Sequence, residues 1–216
     1  MENILVAGAN GTTGRKIVQL LNESQYFNPI AMVRKEEQKA YFKGNNIETV
    51  LADLEGDVSP AFKTKSTIDK VIFAAGSGGK KVVEVDQEGA KKLIEASNKN
   101  NIRKFIMLSS MGADNPEEMS ELKDYLKAKH NADEYLKQSG LNYSIVRPGA
   151  LTNENGTNEI ELEVKLNKTG EISRNDVAQT LVRTLKDDVA NKATFEIIKG
   201  NTLIGKALDK ISETEA

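Results

Sequence analysis

The sequence predicts an α/β protein built on a doubly wound parallel sheet flanked by helices, and three observations carry that prediction. Short apolar runs alternate along the chain with longer amphipathic stretches, the pattern of repeated β-α units. Most of the runs are unbroken rather than alternating, as strands covered on both faces require. A glycine-rich turn follows the first run directly and opens the first amphipathic stretch.

Taken in order, the runs Ile4–Ala7, Pro29–Val33, Ile47–Leu51, Lys70–Ala75, Lys104–Leu108 and Tyr143–Val146 read as six strands. Helices are expected between them, over about 12–23, 35–43, 80–100 and 117–138. After Pro148 the pattern changes: Ile160, Leu162, Val164 and Leu166 alternate with polar residues, as in a strand with one wet face. A helix over about 175–187 follows, opened by a capping-type Ser173 or Asn175, then a strand near 194–198 and a last helix near 202–212. No internal repeat, low-complexity segment or linker divides the chain. The expectation is therefore one domain over 1–216, with a core of about 1–150 and a small substrate-side cap over about 151–216.

Composition narrows the function. The 216 residues include no cysteine, which excludes a disulfide framework, a thiolate metal site and a cysteine nucleophile. One histidine, His130, supplies no His-based ligand set, so no metal site is expected. A formal net charge of −2 lacks the basic excess of a duplex-binding protein, and nucleic acid is not an expected partner. The start, Met1-Glu2-Asn3 running into Ile4–Gly8, has neither the basic flank nor the longer apolar core of a signal peptide. No window approaches the ~20 apolar residues of a membrane span. These features, with the absence of cysteine, point to a cytoplasmic location. Oligomeric state, monomer or homodimer, is left open by the sequence.

The chemistry begins at the first turn. Ile4-Leu5-Val6-Ala7-Gly8-Ala9-Asn10-Gly11-Thr12-Thr13-Gly14-Arg15 runs strand, glycine turn, helix. Gly8 suits a tight turn, Gly11 lets backbone approach a pyrophosphate, and Gly14 allows close helix–strand packing. The helix start aims free N–H groups and the positive end of its dipole at the phosphates. In this context the glycines are the fingerprint of a Rossmann-type, nicotinamide-dinucleotide-binding domain, with Gly8, Asn10, Gly11, Thr12, Thr13 and Gly14 against the cofactor. NAD enzymes place an acidic residue about 20 positions further on, at the adenine ribose 2′-hydroxyl. Here that position holds Arg34, followed by Lys35, which favours NADP over NAD because a guanidinium can hold a 2′-phosphate through paired charge-assisted bonds. Two more loops at the carboxyl ends of strands should face the same groove. One carries Asp53 and Leu54, with Asp53 able to accept from the adenine amino group. The other carries Ala74, Ala75 and Gly76, small enough for close approach to a ribose.

The set Gly8-x-x-Gly11-x-x-Gly14, Asp53-Leu54, Phe105 to Ser110, Tyr125-x-x-x-Lys129, Arg147-Pro148-Gly149 and Ser173-Arg174-x-Asp176-Val177-Ala178 resembles the short-chain dehydrogenase/reductase superfamily. The resemblance is to its atypical branch, small proteins related to the extended sugar-nucleotide epimerases and to NmrA-like and flavin-reductase-like proteins. It implies a catalytic set of Ser110, Tyr125 and Lys129. Lys129 would bond the nicotinamide ribose hydroxyls and lower the tyrosine's pKa. Tyr125 would act as general acid or base, and Ser110 would polarise the substrate oxygen. It also implies that Ser109 lies along the cofactor, that the backbone at Pro148 and Gly149 approaches the nicotinamide amide, and that Asp86 stands where many relatives carry an asparagine supporting the lysine. The helical period is consistent with this. Tyr125 and Lys129 are one turn apart, on a side that also carries Leu122, Ala132 and Leu136, so Lys129 belongs to the buried face, whereas Lys123 and Lys127 point elsewhere. His130 is read as a surface or boundary residue, Met111–Asp114 as an edge of the pocket, and Thr152 and Asn153 as its lining.

These readings lead to an NADP-dependent oxidoreductase moving hydride between nicotinamide and a small carbonyl, quinone or flavin. Two alternatives stand beside it. One is a nucleotide-sugar epimerase or dehydratase, against which the short stretch after the sixth strand counts. The other is a non-catalytic NADP-binding redox sensor.

Overall fold

The computed structural model describes residues 1–118 and 120–214. Six parallel strands, β1 (Glu2–Ala7), β2 (Phe27–Val33), β3 (Glu48–Leu51), β4 (Lys70–Phe73), β5 (Lys104–Leu108) and β6 (Tyr143–Pro148), form the expected core of one sheet. The C-terminal third adds β7 (Ala150–Thr152), β8 (Glu159–Glu163), β9 (Glu171–Ser173), β10 (Ala193–Lys199) and β11 (Thr202–Leu203). The sheet order is β11-β8-β10-β6-β5-β4-β1-β2-β3, with β10 parallel to β6 and with β8 and β11 antiparallel at the edge. β7 and β9 form a separate parallel pair. Strand order reverses at β1, which opens a crevice above the carboxyl ends of β1 and β4.

Strand pleat sorts side chains between two cores. Ile4, Val6, Ile72, Ile106 and Val146 face α1 (Thr12–Asn22), α5 (Arg174–Arg183) and α6 (Ile204–Thr214), through Ile17, Leu21, Val177, Leu181, Ile204 and Leu208. Leu5, Ala7, Val71, Phe73, Phe105 and Ile145 face α3 (Ala90–Lys99) and α4 (Lys123–Gln138), through Leu93, Ile94, Ala132 and Leu136. Burial on both faces explains why these strands read as unbroken apolar runs.

Several boundaries differ from expectation. The helix expected over 35–43 is a 3₁₀ turn, Glu36–Gln38, and a short α2 (Lys39–Lys43), because the Gln38 side chain folds back to accept from the Arg34 and Lys35 amides. The helix expected over 80–100 enters with π winding, Val82–Gly89, before α3. The helix expected over 117–138 begins only at Lys123, after 3₁₀ turns at Pro116–Glu118 and Ser120–Leu122; Met119, inside that expected span, lies outside the described residues. Leu122 is consequently not on a buried face but 45% exposed. The alternating strand stops at Glu163, leaving Val164 65% exposed, and Leu166 is buried because the chain has turned so that its amide donates to Glu196 Oε2. At α5 the cap is Ser173, whose hydroxyl accepts from the Asp176 amide.

Two buried lysines fasten the far end of the sheet. Lys70 Nζ donates to Leu185 O at 2.6 Å and pairs with Glu2 and Asp187. Lys104 Nζ donates to the carbonyls of Lys186 and Val189. Both ammoniums serve carbonyls in the turn after α5, where positive charge also complements the helix dipole.

Candidate cofactor and active site

Each glycine of the first loop has a steric reason. Gly8 sits at φ +82°, and a Cβ there would come within 2.6 Å of the Ala75 backbone, so the two predicted loops lie in contact. A Cβ on Gly14 would fall 2.1 Å from Gly8 O, whereas one on Gly11 would only graze that oxygen at 3.2 Å. Gly11 and Thr12 are exposed, and Thr13 and Gly14 are buried beneath them. Gly11 occupies the N-cap of α1 with no side chain bonded over the helix end, and no acidic residue lies in its first turn. A helix start left bare of capping groups and carboxylates suits a pyrophosphate, so the residues present fit a dinucleotide.

At the end of β2, Arg34 and Lys35 are exposed. Glu36 pairs with Lys39 at 2.9 Å and Glu37 with Lys35 at 3.7 Å, while among the described residues the Arg34 side chain has no carboxylate partner. Asp53 turns its own loop by accepting from the Glu55 amide through Oδ1. Leu54 is buried against Gly89, where a Cβ would meet Leu54 Cβ at 2.7 Å. Lys92 Nζ holds that loop by donating to the carbonyls of Leu54, Glu55 and Gly56. The Ala74 amide donates to Ala7 O, and Gly76 is exposed at the mouth of the crevice.

The Tyr-Lys helix face meets the ends of β5 and β6. Lys129 is buried, with Nζ 3.1 Å from Asp86 Oδ1, 3.4 Å from Leu108 O and 5.7 Å from the centre of the half-buried Tyr125 ring. Asp86 reaches it from the π-wound turn, and its Oδ2 accepts from the Ser77 amide. Burial disfavours the lysine's charge, yet the field of Tyr125, Asp86 and Asp133 outweighs it and holds the ammonium above the usual lysine value. One turn further, fully buried Asp133 accepts through one oxygen, Oδ2, from Ser109 Oγ at 2.8 Å and from Arg147 Nε and Nη2 at 3.0 and 2.9 Å. Burial pushes the Asp133 carboxyl up, against the opposing pull of Arg147 and Ser109. The Ser109 hydroxyl is thus turned inward to Asp133 rather than along the groove. Ser110 stays half-buried, its hydroxyl donating to Met111 O at 3.2 Å.

Around the mouth, the Pro148 carbonyl accepts from the Met111 amide, tying the β5 and β6 ends together. Gly149 has a packing reason of its own, since a Cβ there would strike Gly170 O at 2.2 Å. Asp114 pairs with Lys165 and faces Arg147 at 3.9 Å, which links the Met111–Asp114 edge to the segment after β8. Asn153 accepts from Arg174 through Oδ1. His130 sits at the boundary, with Nδ1 2.8 Å from Ala113 O. Sequence reasoning singled out neither Asp133, although it repeats the Tyr125–Lys129 spacing once more, nor Arg15, whose guanidinium lies 4.2 Å over the Tyr41 ring.

A parallel sheet reversing at β1, a bare glycine-lined helix start and a buried lysine beside a tyrosine define a dinucleotide-binding Rossmann protein. The chain belongs to the NAD(P)H-binding family, whose model matches residues 8–188. It is 42% identical, over 96% of its length and 99% of the relative's, to a Bacillus subtilis protein named as an uncharacterised sugar epimerase. Among solved structures, a Bacillus halodurans protein named as an NAD-dependent epimerase/dehydratase superposes with a TM-score of 0.89 at 37% identity, covering 97% of this chain and 100% of that one. A Lactococcus lactis oxidoreductase gives 0.86 at 31%, covering 98% and 97%. Among the described residues, no helix is long and apolar enough to cross a membrane.

Proposed function

We propose that the protein is an NADP-dependent oxidoreductase acting on a small carbonyl, quinone or flavin, with residues 1–216 working as one domain. The observation that carries this reading is the buried Lys129 ammonium at the carboxyl end of β5, 3.1 Å from Asp86 Oδ1 and 5.7 Å from the centre of the Tyr125 ring. Gly8, Gly11, Thr12 and Gly14 would hold the pyrophosphate, and Arg34 with Lys35 the adenosine end. Asp53, Leu54, Ala74, Ala75 and Gly76 would line the groove between, and Pro148 and Gly149 the nicotinamide end. The nicotinamide, when bound, supplies or takes up hydride. Tyr125 gives a proton to the substrate oxygen in reduction and takes one in oxidation. Lys129 keeps a positive charge near the Tyr125 ring, and would turn from Asp86 toward the groove to donate to a ribose. Ser110, at the end of β5, donates to the same substrate oxygen.

The names of the relatives favour a second reading, epimerase or dehydratase chemistry, which would use the same hydride transfer reversibly. Most of the 68 residues after β6 build strands and helices that pack into the core, which leaves little surface for a bulky nucleotide and weighs against it. The test is single-turnover oxidation of bound NADPH by quinones, flavins and small aldehydes. Tyr125→Phe should abolish turnover while cofactor binding survives, and Lys129→Ala should impair both. Turnover intact in Tyr125→Phe would overturn the mechanism, and tight NADPH binding with no acceptor at all would favour a sensor. NADPH should bind tighter than NADH by fluorescence titration, with the gap narrowed in Arg34→Ala; equal affinities would overturn the NADP preference.

A further inference from the structure

Arg15 stands in the first turn of α1, exposed, and its side chain spans two segments. Its Nη2 donates to Asn10 Oδ1 in the glycine loop at 2.7 Å. Its guanidinium carbon lies 4.2 Å from the centre of the Tyr41 ring, in α2. Because β1 and β2 are parallel neighbours with Ala7 beside Met32, the glycine loop and the turn after Val33 leave the sheet side by side. Arg15 therefore bridges the two segments that bracket the end of β2, where Arg34 also lies.

The chemistry of this bridge is specific. A guanidinium held over an aromatic ring by cation–π attraction can still direct N–H donors to an oxyanion. Among the described residues, one of those donors is engaged, by Asn10 Oδ1. The carboxylates nearby are otherwise occupied, Glu36 by Lys39 and Glu37 by Lys35, and among the described residues neither Arg15 nor Arg34 is paired with one. Two guanidiniums without carboxylate partners among the described residues, one of them over an aromatic ring, thus lie on segments that leave β1 and β2 side by side.

We propose that Arg15, held in place by Tyr41, is a second determinant of cofactor choice and bonds the adenosine 2′-phosphate opposite Arg34. The inference rests on the NADP reading above and adds to it a residue outside the β2 end. Tyr41 acts through Arg15 as a positioning residue. It keeps the side chain over the site before ligand arrives, so less rotamer entropy is lost on binding.

Binding alone tests it, without turnover. NADPH, NADH and adenosine 2′,5′-bisphosphate are titrated against wild type, Arg15→Ala, Arg15→Lys, Tyr41→Ala, Tyr41→Phe and Arg34→Ala, with circular dichroism to check folding. Arg15→Ala should weaken NADPH and the bisphosphate by about tenfold to a hundredfold, as loss of charge-assisted bonds implies, and NADH by less than about twofold. Arg15→Lys should fall between, because an ammonium neither stacks as a plane nor binds bidentately. Tyr41→Ala should reproduce part of the NADPH loss and Tyr41→Phe almost none of it. Equal weakening of NADPH and NADH in Arg15→Ala would overturn the proposal, since the contact would then be to a part both cofactors share. So would an unchanged NADPH affinity. A wild type that does not distinguish NADPH from NADH fails the NADP reading itself. A wild type whose preference vanishes in Arg34→Ala but persists in Arg15→Ala fails this inference alone.

Discussion

Asp86 Oδ1 lies 3.1 Å from Lys129 Nζ, and both side chains are closed off from solvent. A pair buried this way is strongly coupled, because removing either partner leaves the other charged and desolvated. The lysine was expected on the buried face of its helix; the carboxylate that makes its burial tolerable comes from a different segment, the π-wound turn before α3.

That coupling can be measured by denaturant unfolding. Lys129→Met should cost about 3–5 kcal/mol, as for breaking a buried pair. Asp86→Asn should cost less, since an amide oxygen can still accept from the Ser77 amide. The double variant should be more stable than the sum of the two losses by about 1–3 kcal/mol. Simple additivity would show that the two groups do not depend on each other. The pH dependence has a definite sign. Lys129 is raised above 10.5 in the folded protein, so its contribution is fully present below that pH and is lost as pH rises through the folded value. The stability gap between wild type and Lys129→Met should therefore shrink only in the alkaline range.

The glycines of the first loop should separate folding from binding. Gly14→Ala forces a methyl to 2.1 Å from a backbone oxygen that cannot move aside, and should lower stability by about 2 kcal/mol or more. Gly11→Ala meets only a 3.2 Å contact and should fold with a melting temperature within a few degrees of wild type. Its added methyl, at the uncapped helix start, should nevertheless weaken NADPH by about tenfold or more. A Gly11→Ala protein that binds NADPH normally would move the pyrophosphate away from this turn.

Asp114 and Lys165 join the two segments at the mouth of the crevice. Burial alone would raise the Asp114 carboxyl, but Lys165 and Arg147 outweigh it and hold the group below 3.8. Its contribution is present above that pH and lost as pH falls through the lower folded value. Asp114→Asn should increase cleavage by a glutamyl endopeptidase at Glu117 and Glu118 by about twofold to fivefold, the scale of a partly exposed ion pair. An unchanged cleavage rate would mean that the pair does not restrain this edge.

Legibility in the sequence followed locality. β1 to β6 were readable because both their faces are buried, and the glycine loop because its spacing and its place between strand and helix are local. The inward turn of Lys129 followed from helical period alone. The start of α4 was not readable: the acidic stretch around Pro116 looks helical, yet winds into 3₁₀ turns that leave Leu122 outside. The short pair β7 and β9 makes a ladder of three residues whose partners lie about twenty positions apart, too brief to leave a period. The Asp133, Arg147 and Ser109 cluster is assembled from α4, β6 and the end of β5, so only the fold brings it together. The sequence spoke for Ser109 as a groove residue; the fold directs its hydroxyl to that cluster instead.

The two lysines at the far end of the sheet bear on where the chain could be cut. Lys70 and Lys104 belong to the first half of the sequence, but the carbonyls that satisfy them, at Leu185, Lys186 and Val189, belong to the last third. A chain truncated after Gly149 would take the Leu185 carbonyl and Asp187 from Lys70, leaving it Glu2, and the Lys186 and Val189 carbonyls from Lys104. The C-terminal third is thus not a removable lid. It supplies hydrogen-bond acceptors to a core whose opposite end carries the candidate cofactor groove.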